Sequence, residues 1–413
     1  MSVKLSLCMI VKNEESSLPQ CLKSVKNVVE EMIVLDTGST DNTVTIAQDL
    51  GAKVYHFQWC NDFAIARNKA LQYVQGEWIL VLDADEVLNK EIVPHLQSAI
   101  ANPDNLVVNL VRQEIGAAQS PYSLTSRLFR HHPQVRFSRP YHAIIDDSVA
   151  HLLNSESHWQ IVSLPSTAIV HYGYQPGTIA AKDKFNRARK AMEAYFATHR
   201  DDPYVCSKLG ALYASDGQLE QGLELLERGL QAPHIEPPLL FELHYHLGNI
   251  YTRRHHPNQA VIHYQQAIEQ PILPQLKLGA YNNLGILLQA AGQFSLAKKS
   301  YEQALKIDPE FVIGHYNLGM TLKAMGLFGE AIKSYQQAIK LAPDYPWAHQ
   351  NLGVTLLKIG KVEASLHYFR TAIALHESKN PQEAQRLRQG LQEMGLSLFP
   401  EMEDEESKQP NHW

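Results

Sequence analysis

The second half of this 413-residue chain repeats itself, and the period leaves few folds open. Leu284-Gly285, Leu318-Gly319 and Leu352-Gly353 recur every 34 residues, and Tyr301, Tyr335 and Phe369 keep the same step. So do Ala304, Ala338 and Ala372, and Pro309 and Pro343. Small residues where two helices cross closely, an aromatic on the second helix and a proline near its end describe a helix pair. Each pair buries its apolar face only against its neighbours, so the units stack into a curved solenoid rather than folding singly. Looser copies at Leu247-Gly248 with Tyr264 and Ala267, and at Leu209-Gly210 with Leu226 and Gly229, extend the array to five repeats from about Pro203 to about His376.

The first half follows another rule. Leu5 to Val11, Met32 to Leu35 and Trp78 to Leu82 are continuous apolar runs, with Lys53-Val54-Tyr55 a shorter strand between them. Helical runs separate them: one through Leu18, Leu22 and Val25, one from Thr43 to Leu50 after the turn Thr37-Gly38-Ser39-Thr40-Asp41-Asn42, and one carrying Arg67 and Asn68 after Asp62. Alternation of this kind predicts a parallel sheet covered on both faces, with its ligand beyond the carboxyl ends of the strands. Asp36, Asp83 and Asp85 all fall at those ends. Two carboxylates one residue apart, where a buried strand meets a loop, form a hard-oxygen site for Mg²⁺ or Mn²⁺. A carboxylate at the end of the second strand, Asp36, has the chemistry to accept from a pyrimidine N3–H.

Composition narrows the function. A formal charge of −6 gives no support to nucleic-acid binding by a basic surface. Cys8, Cys21, Cys60 and Cys206 show no Cys-x-x-Cys spacing, so neither a zinc site nor a disulfide framework is indicated and a reducing compartment is the default. No apolar run approaches the ~18 residues of a membrane span, and Leu5 to Val11 is too short for a signal segment. The expectation is a cytoplasmic protein without a transmembrane segment, with peripheral membrane contact left open.

Ile10-Val11-Lys12-Asn13-Glu14, Val34 to Thr43, Ala66-Arg67-Asn68 and Leu82-Asp83-Ala84-Asp85-Glu86 resemble the successive motifs of family-2 glycosyltransferases with the GT-A fold. The likeness is strong over roughly residues 4 to 90 and weaker beyond, where Arg127-Leu128-Phe129-Arg130 and Val170-His171-Tyr172-Gly173-Tyr174 are similar to later motifs of a bacterial branch. The repeats resemble tetratricopeptide repeats. The fold expected is an α/β GT-A (Rossmann-like) catalytic domain followed by an all-α tetratricopeptide solenoid. Residues 1–175 form the first domain, 176–202 a connecting helix, 203–379 the repeats, and 380–413 a C-terminal helix with an acidic, disordered tail.

The resemblance implies a metal-dependent, inverting transfer of a sugar from a nucleotide-sugar donor, most simply a UDP-sugar. It places Val11, Asn13, Glu14, Asp36, Gly38, Arg67 and Asp83 at the donor, and Asp83, Asp85 and His171 at the ion. The branch usually carries a His-Glu pair after its Arg-Leu-Phe-Arg segment, where this chain has His142-Ala143, so the catalytic base stays open among His142, Asp146, Asp147 and Glu114. Asn283, Asn317 and Asn351, each one residue before a Leu-Gly pair, stack three amides in register. Amides both donate and accept, so such a ladder suits the backbone of a protein or peptide partner; helix packing is the simpler reading. Two rival functions remain. One is a non-catalytic tetratricopeptide scaffold with a degenerate transferase domain, against which the intact Asp83/Asp85 pair speaks. The other is a nucleotidyltransferase, whose glycine-rich phosphate loop is missing from Ile10 to Glu15.

Overall fold

The computed structural model describes residues 4–117, 121–173 and 179–397; the expected exit Gln175-Pro176-Gly177, Tyr174 and the acidic segment from Pro400 lie outside the described residues. The chain divides into two compact units, Met1–Ala280 and Tyr281–Trp413. Among the described residues no helix is long and apolar enough to cross a membrane.

In the first unit β1 (Leu5–Val11), α1 (Leu18–Val25), β2 (Glu31–Asp36), α2 (Thr43–Asp49), β3 (Lys53–His56), α3 (Phe63–Leu71) and β4 (Trp78–Val81) alternate as the sequence predicts. β1 pairs in parallel with β2 and with β4, and β2 with β3. Both faces of β1 are covered, which is why it is apolar nearly throughout. Leu7, Met9 and Val11 pack with Leu18, Leu22 and Val25 of α1, while Cys8 turns the other way, toward Ile33, Leu35 and the α3 alanines Ala64 and Ala70. Asp62 caps α3 by accepting the Ile65 N–H at 2.9 Å.

The sheet then changes character. β5 (Glu86–Leu88), α4 (Val93–Ala101), β6 (Asn105–Glu114), β7 (Tyr122–Arg130), α5 (Asp146–Ser155) and β8 (Gln160–His171) follow, and the eight strands lie in the order β3-β2-β1-β4-β7-β6-β8-β5. β7 runs antiparallel to β4 and β6, β6 parallel to β8, and β8 antiparallel to β5. The parallel pairing expected of β1 to β4 therefore holds for those strands, and the later strands make the whole sheet mixed. The stretch from Asn102 to Trp159 holds two strands and a helix. The short connection between β6 and β7 allows only an antiparallel neighbour. Its consequence is local: β8 sets His171 directly opposite Glu86 of β5 on one side and Glu114 of β6 on the other.

The first unit continues with α6 (Ile179–Phe196), α7 (Pro203–Ser215), α8 (Leu219–Gly229), α9 (Pro237–Arg253) and α10 (Pro257–Glu269). Met192 of α6, Val205 and Leu209 of α7 and Leu225 of α8 form a core, with Tyr141 packed against it. The carboxylate of Asp202 accepts the Tyr204 N–H at 2.9 Å and caps α7.

α11 (Leu278–Ala290) spans the border of the units, and the second unit holds α12 (Phe294–Ile307), α13 (Val312–Ala324), α14 (Phe328–Leu341), α15 (Pro346–Lys358), α16 (Val362–Lys379) and α17 (Pro381–Glu393). The glycine of each Leu-Gly pair faces the repeat's aromatic. A Cβ on Gly285 would stand 2.6 Å from the Tyr301 ring, one on Gly319 2.6 Å from Tyr335, and one on Gly353 3.3 Å from Phe369. Gly248 and Tyr264 repeat this relation in the first unit. Glycine and aromatic thus recur together because the ring occupies the space that a side chain would take, and Tyr264, Tyr301 and Tyr335 are fully buried. α17 closes the second unit by packing Ala384, Leu387 and Leu391 on Phe369, Ala372 and Ile373 of α16.

Candidate active site

The loops after β1 and β2 are tied to each other. Asn13, in the left-handed region at φ 55°, donates its N–H to Ser39 Oγ at 2.9 Å, and its side-chain oxygen accepts the Thr40 N–H at 2.7 Å. The Glu14 N–H donates to Thr43 Oγ1 at 2.8 Å, and the Val11 carbonyl accepts both the Thr37 N–H and the Thr37 hydroxyl. Asp36 is buried at the end of β2, where its carboxylate accepts the Gly38 and Ser39 N–H groups at 3.1 Å, with His56 Nδ1 at 3.4 Å. Gly38 sits at φ 104°, a backbone conformation open to glycine, and this allows the turn to fold back on Asp36. Val11, Asn13, Glu14, Asp36 and Gly38 therefore come together at the ends of two adjacent strands.

Asp83 and Asp85 leave β4 in different company. Asp83 accepts from Arg67 Nη2 at 2.7 Å and from Arg127 Nη2 at 3.0 Å. Burial alone would raise its pKa, but the Arg127 and Arg67 guanidinium groups outweigh burial and hold the carboxyl well below the usual carboxylate range. The charge chain continues: Arg127 lies 3.7 Å from Glu86, Glu86 accepts from Arg112 at 2.8 Å, and Arg112 donates to Glu114 at 2.7 Å. Glu114 meets His171 Nδ1 at 2.5 Å, and His171 Nε2 lies 3.2 Å from Asp85 Oδ2. Burial lowers the His171 pKa, but hydrogen bonds to Asp85 and Glu114 more than reverse this and push it up to about 9. Both oxygens of Glu114 are engaged, by His171 and by Arg112 and Ser123, so this base candidate is built into the support of His171.

Asp85 and His171 bring two kinds of metal-ligating atom to one point. One carboxylate and one imidazole nitrogen converge, and the far ring nitrogen is held by a second carboxylate, as is usual for a histidine ligand. Among the described residues no group of three or more His, Cys, Asp or Glu side chains forms a complete cage. Mg²⁺ is commonly held by one or two protein carboxylates with the remaining oxygens from substrate phosphates and water, and Asp85 offers one such carboxylate beside the His171 nitrogen. Gly173 crowds the pair: a Cβ there would stand 2.4 Å from His171 Nε2 and 3.0 Å from Asp85 Oδ2.

The base candidates separate. Asp147 is gripped by Arg139 at 2.9 and 3.2 Å and by the Ser138 hydroxyl at 2.5 Å, and Arg139 also reaches Asp202 at 3.3 Å. Asp146 opens α5 exposed to solvent, with Ser126 Oγ 3.2 Å away, and the protein crowded around its carboxyl raises its pKa. His142 stands in the left-handed region at φ 51°; its crowded surroundings and the charge of Lys208 push its pKa down to about 3. Asn68, quoted above beside Arg67, clasps the same segment through two 2.8 Å bonds with the backbone of Phe137.

The repeat asparagines are partly spent on their own neighbours. Asn317 donates to Asn282 at 2.9 Å, and Asn351 donates to the Tyr316 hydroxyl at 3.2 Å and accepts from Lys323 at 2.7 Å. Asn283 is buried, with the Asn282 amide 3.4 Å from its oxygen. The sequence reading missed the roles of Glu86 and Arg112. A signal existed for the second: Arg112 and Glu114 are two residues apart on one strand and so share a face.

Comparison with known proteins follows the same division. Residues 6–162 match the Glycosyl transferase family 2 model, residues 279–311 the tetratricopeptide repeat model and residues 322–360 a further TPR repeat model. A TPR repeat-containing protein of Synechococcus elongatus is 43% identical over 395 residues, covering 96% of this chain and 98% of the relative. The SPbeta prophage-derived glycosyltransferase SunS of Bacillus subtilis is 31% identical over 201 residues, covering 47% of this chain and 45% of SunS. An uncharacterized glycosyltransferase of Rickettsia bellii is 29% identical over 199 residues, covering 46% of this chain and 67% of that protein. Among solved structures YrrB, described as a TPR protein with an unusual peptide-binding site, is 20% identical with a TM-score of 0.41, covering 49% of this chain and all of YrrB.

Proposed function

The chain belongs to the tetratricopeptide-repeat proteins that carry a family 2 glycosyl transferase domain, and we propose that this domain moves a sugar, with inversion, from a UDP-sugar to an acceptor. The observation that carries this reading is the convergence of Asp36, Asp83 and the Asp85–His171 pair at the carboxyl ends of β2, β4 and β8, the side where an open α/β sheet takes its ligand. Asp36 and the backbone of the Asn13 and Gly38 loops hold the uridine. Asp83, with both oxygens occupied by Arg67 and Arg127, fixes those two arginines at the donor and faces the ribose. Asp85 and His171 would hold the divalent cation, which when bound supplies positive charge to the leaving diphosphate.

We assign the base to Asp146, because the other two members of its cluster are committed or weakly basic: Asp147 is held by Arg139, and the pKa of His142 is driven down, which leaves its ring a poor proton acceptor. The acceptor loses a proton to the Asp146 carboxylate while its nucleophilic atom bonds to the anomeric carbon. The bond from that carbon to the diphosphate oxygen breaks, and its electron pair leaves with UDP. We end the sheet-bearing part of the catalytic domain near residue 175 and give the repeats a protein or peptide partner, with the Asn317 and Asn351 amides serving packing first.

The test is a panel of UDP-, GDP- and CDP-sugars incubated with the full chain and Mn²⁺, followed by measurement of free nucleotide. Release from a UDP-sugar that stops on chelation is expected. Equal rates with and without chelator would remove the ion from the reading, and release from GDP-sugars alone would remove uridine.

A further inference from the structure

The helices that follow the sheet turn polar side chains toward His142. Tyr204 and Lys208 lie one turn apart on α7, and Glu242 and His246 one turn apart on α9, so each pair shares a helix face. Lys208 Nζ is 2.6 Å from Glu242 Oε2, which joins the two faces into one surface. The Tyr204 hydroxyl donates to the His142 carbonyl at 3.2 Å. The Arg139 guanidinium lies 4.1 Å from the centre of the Tyr204 ring, and Lys208 Nζ 5.1 Å from it. These contacts seat α7 on the segment that leads into α5 and its Asp146.

His142 stands between two charged groups. Lys208 and Glu242 act on its ring from the helices, and Arg112 and Arg127 act on it from the sheet. Arg127 is also the residue that holds Asp83. A lysine and a glutamate that join two stacked helices are ordinarily a packing device. This pair differs in being open: the Glu242 side chain is 36% exposed and that of Lys208 22%, although protein crowds both. Crowding would raise the Glu242 pKa, but Lys208 keeps the carboxyl below its usual range, so it stays an ionised acceptor.

We propose that this face of α7 and α9 is the acceptor wall of the transfer site, with Glu242 accepting from and Lys208 donating to a hydroxyl-bearing acceptor. A hydroxyl both donates and accepts, and a carboxylate beside an ammonium meets both needs. The first helices after the sheet are then part of the catalytic apparatus, with Glu242 and Lys208 as positioning residues. The inference rests on the glycosyl-transfer reading above.

The experiment uses the unmodified full chain and a UDP-N-acetylglucosamine analogue bearing a diazirine on its N-acyl group, irradiated with Mn²⁺ present and mapped by peptide mass spectrometry. Label is expected in the peptides that contain Tyr204 to Lys208 or Glu242 to His246, with UDP at about ten times its Kd cutting that label to roughly a tenth. Label that UDP removes but that is confined to residues before 173 would overturn the acceptor wall and leave the donor reading standing. If UDP removes no label anywhere, the donor reading falls, and the acceptor wall falls with it.

Discussion

Asp83 and Asp85 are separated by one residue, yet the structure gives them opposite surroundings. Asp83 sits between two arginines, whereas Asp85 faces His171. Substitution should therefore separate them. Asp85→Asn keeps the shape and removes one charge from the ion's side, so donor turnover measured by free UDP should fall at least ~10²-fold, the loss expected for one electrostatic stabiliser. Its thermal unfolding temperature should fall only slightly, because the ion pair with His171 is lost while Glu114 still holds the ring, and a variant with normal turnover would exclude Asp85 as a ligand. Asp36 requires a paired design, because its carboxylate also holds the Gly38 and Ser39 N–H groups. Asp36→Ala should cost stability, about 1–3 kcal/mol for buried donors left without a partner. It should also weaken UDP by roughly 1.5–3 kcal/mol, the range for a hydrogen bond to a charged group. Asp36→Asn keeps an oxygen for the turn and should show the calorimetric loss without the loss of stability. If Asp36→Asn binds UDP as tightly as the unsubstituted chain, the uracil contact is wrong.

At the scale of the element, the repeat glycines lend themselves to a graded test. The Cβ of Gly285→Ala or Gly319→Ala would meet a buried tyrosine ring at 2.6 Å, a distance that forces the helices or the ring to move. Overpacking of this kind costs about 1–3 kcal/mol. Gly353→Ala meets Phe369 at 3.3 Å, and the roughly 1 kcal/mol by which alanine exceeds glycine in a helix offsets the tighter contact. Urea unfolding should therefore place Gly285→Ala and Gly319→Ala well below the parent and Gly353→Ala close to it; three equal shifts would mean that the rings do not set the spacing. These positions were legible in the sequence because the 34-residue period repeats one local packing problem and so displays the same answer several times. The strands β1 to β4 were legible for a related reason, since burial on both faces leaves an unbroken apolar run. β6 and β7 were not, because Arg112, Glu114, Ser123 and Arg127 interrupt that run with charged and polar side chains that bond to one another or to Asp83 around the candidate site. The loops after β1 and β2, proposed above to hold the donor, lie at the strand ends where the motifs set them. The separate roles of Asp146 and Asp147 were not legible, because two adjacent carboxylates at a helix start read alike until Arg139 is seen to grip one of them.

For the whole molecule, the question is where the catalytic part ends. The sequence places the border near residue 175, whereas the compact unit runs to Ala280 and takes in α6 to α10. The contacts that bear on this lie in the segment from Ser138 to Asp147, which carries the base candidates. Arg139, only 8% exposed at its side chain, reaches Asp202 beside α7 and lies on the Tyr204 ring. Tyr141 packs against Val205 and Leu209, and the His142 carbonyl accepts from Tyr204. A fragment of residues 1–173 would keep the whole sheet and strip these partners from one loop, whereas a fragment of residues 1–280 would keep them. Amide hydrogen exchange over residues 138–147 should accordingly be faster in the shorter fragment by about tenfold or more, as expected for a local stability loss of roughly 1.4 kcal/mol. Exchange in β1 and β2 should be the same in both, because their cores are formed by α1 and α3. If residues 138–147 exchange equally in the two fragments, α7 and α9 give the loop no support, and the catalytic domain is complete without the first repeats. Faster exchange confined to that loop would make those helices part of the working enzyme rather than the start of an appended array.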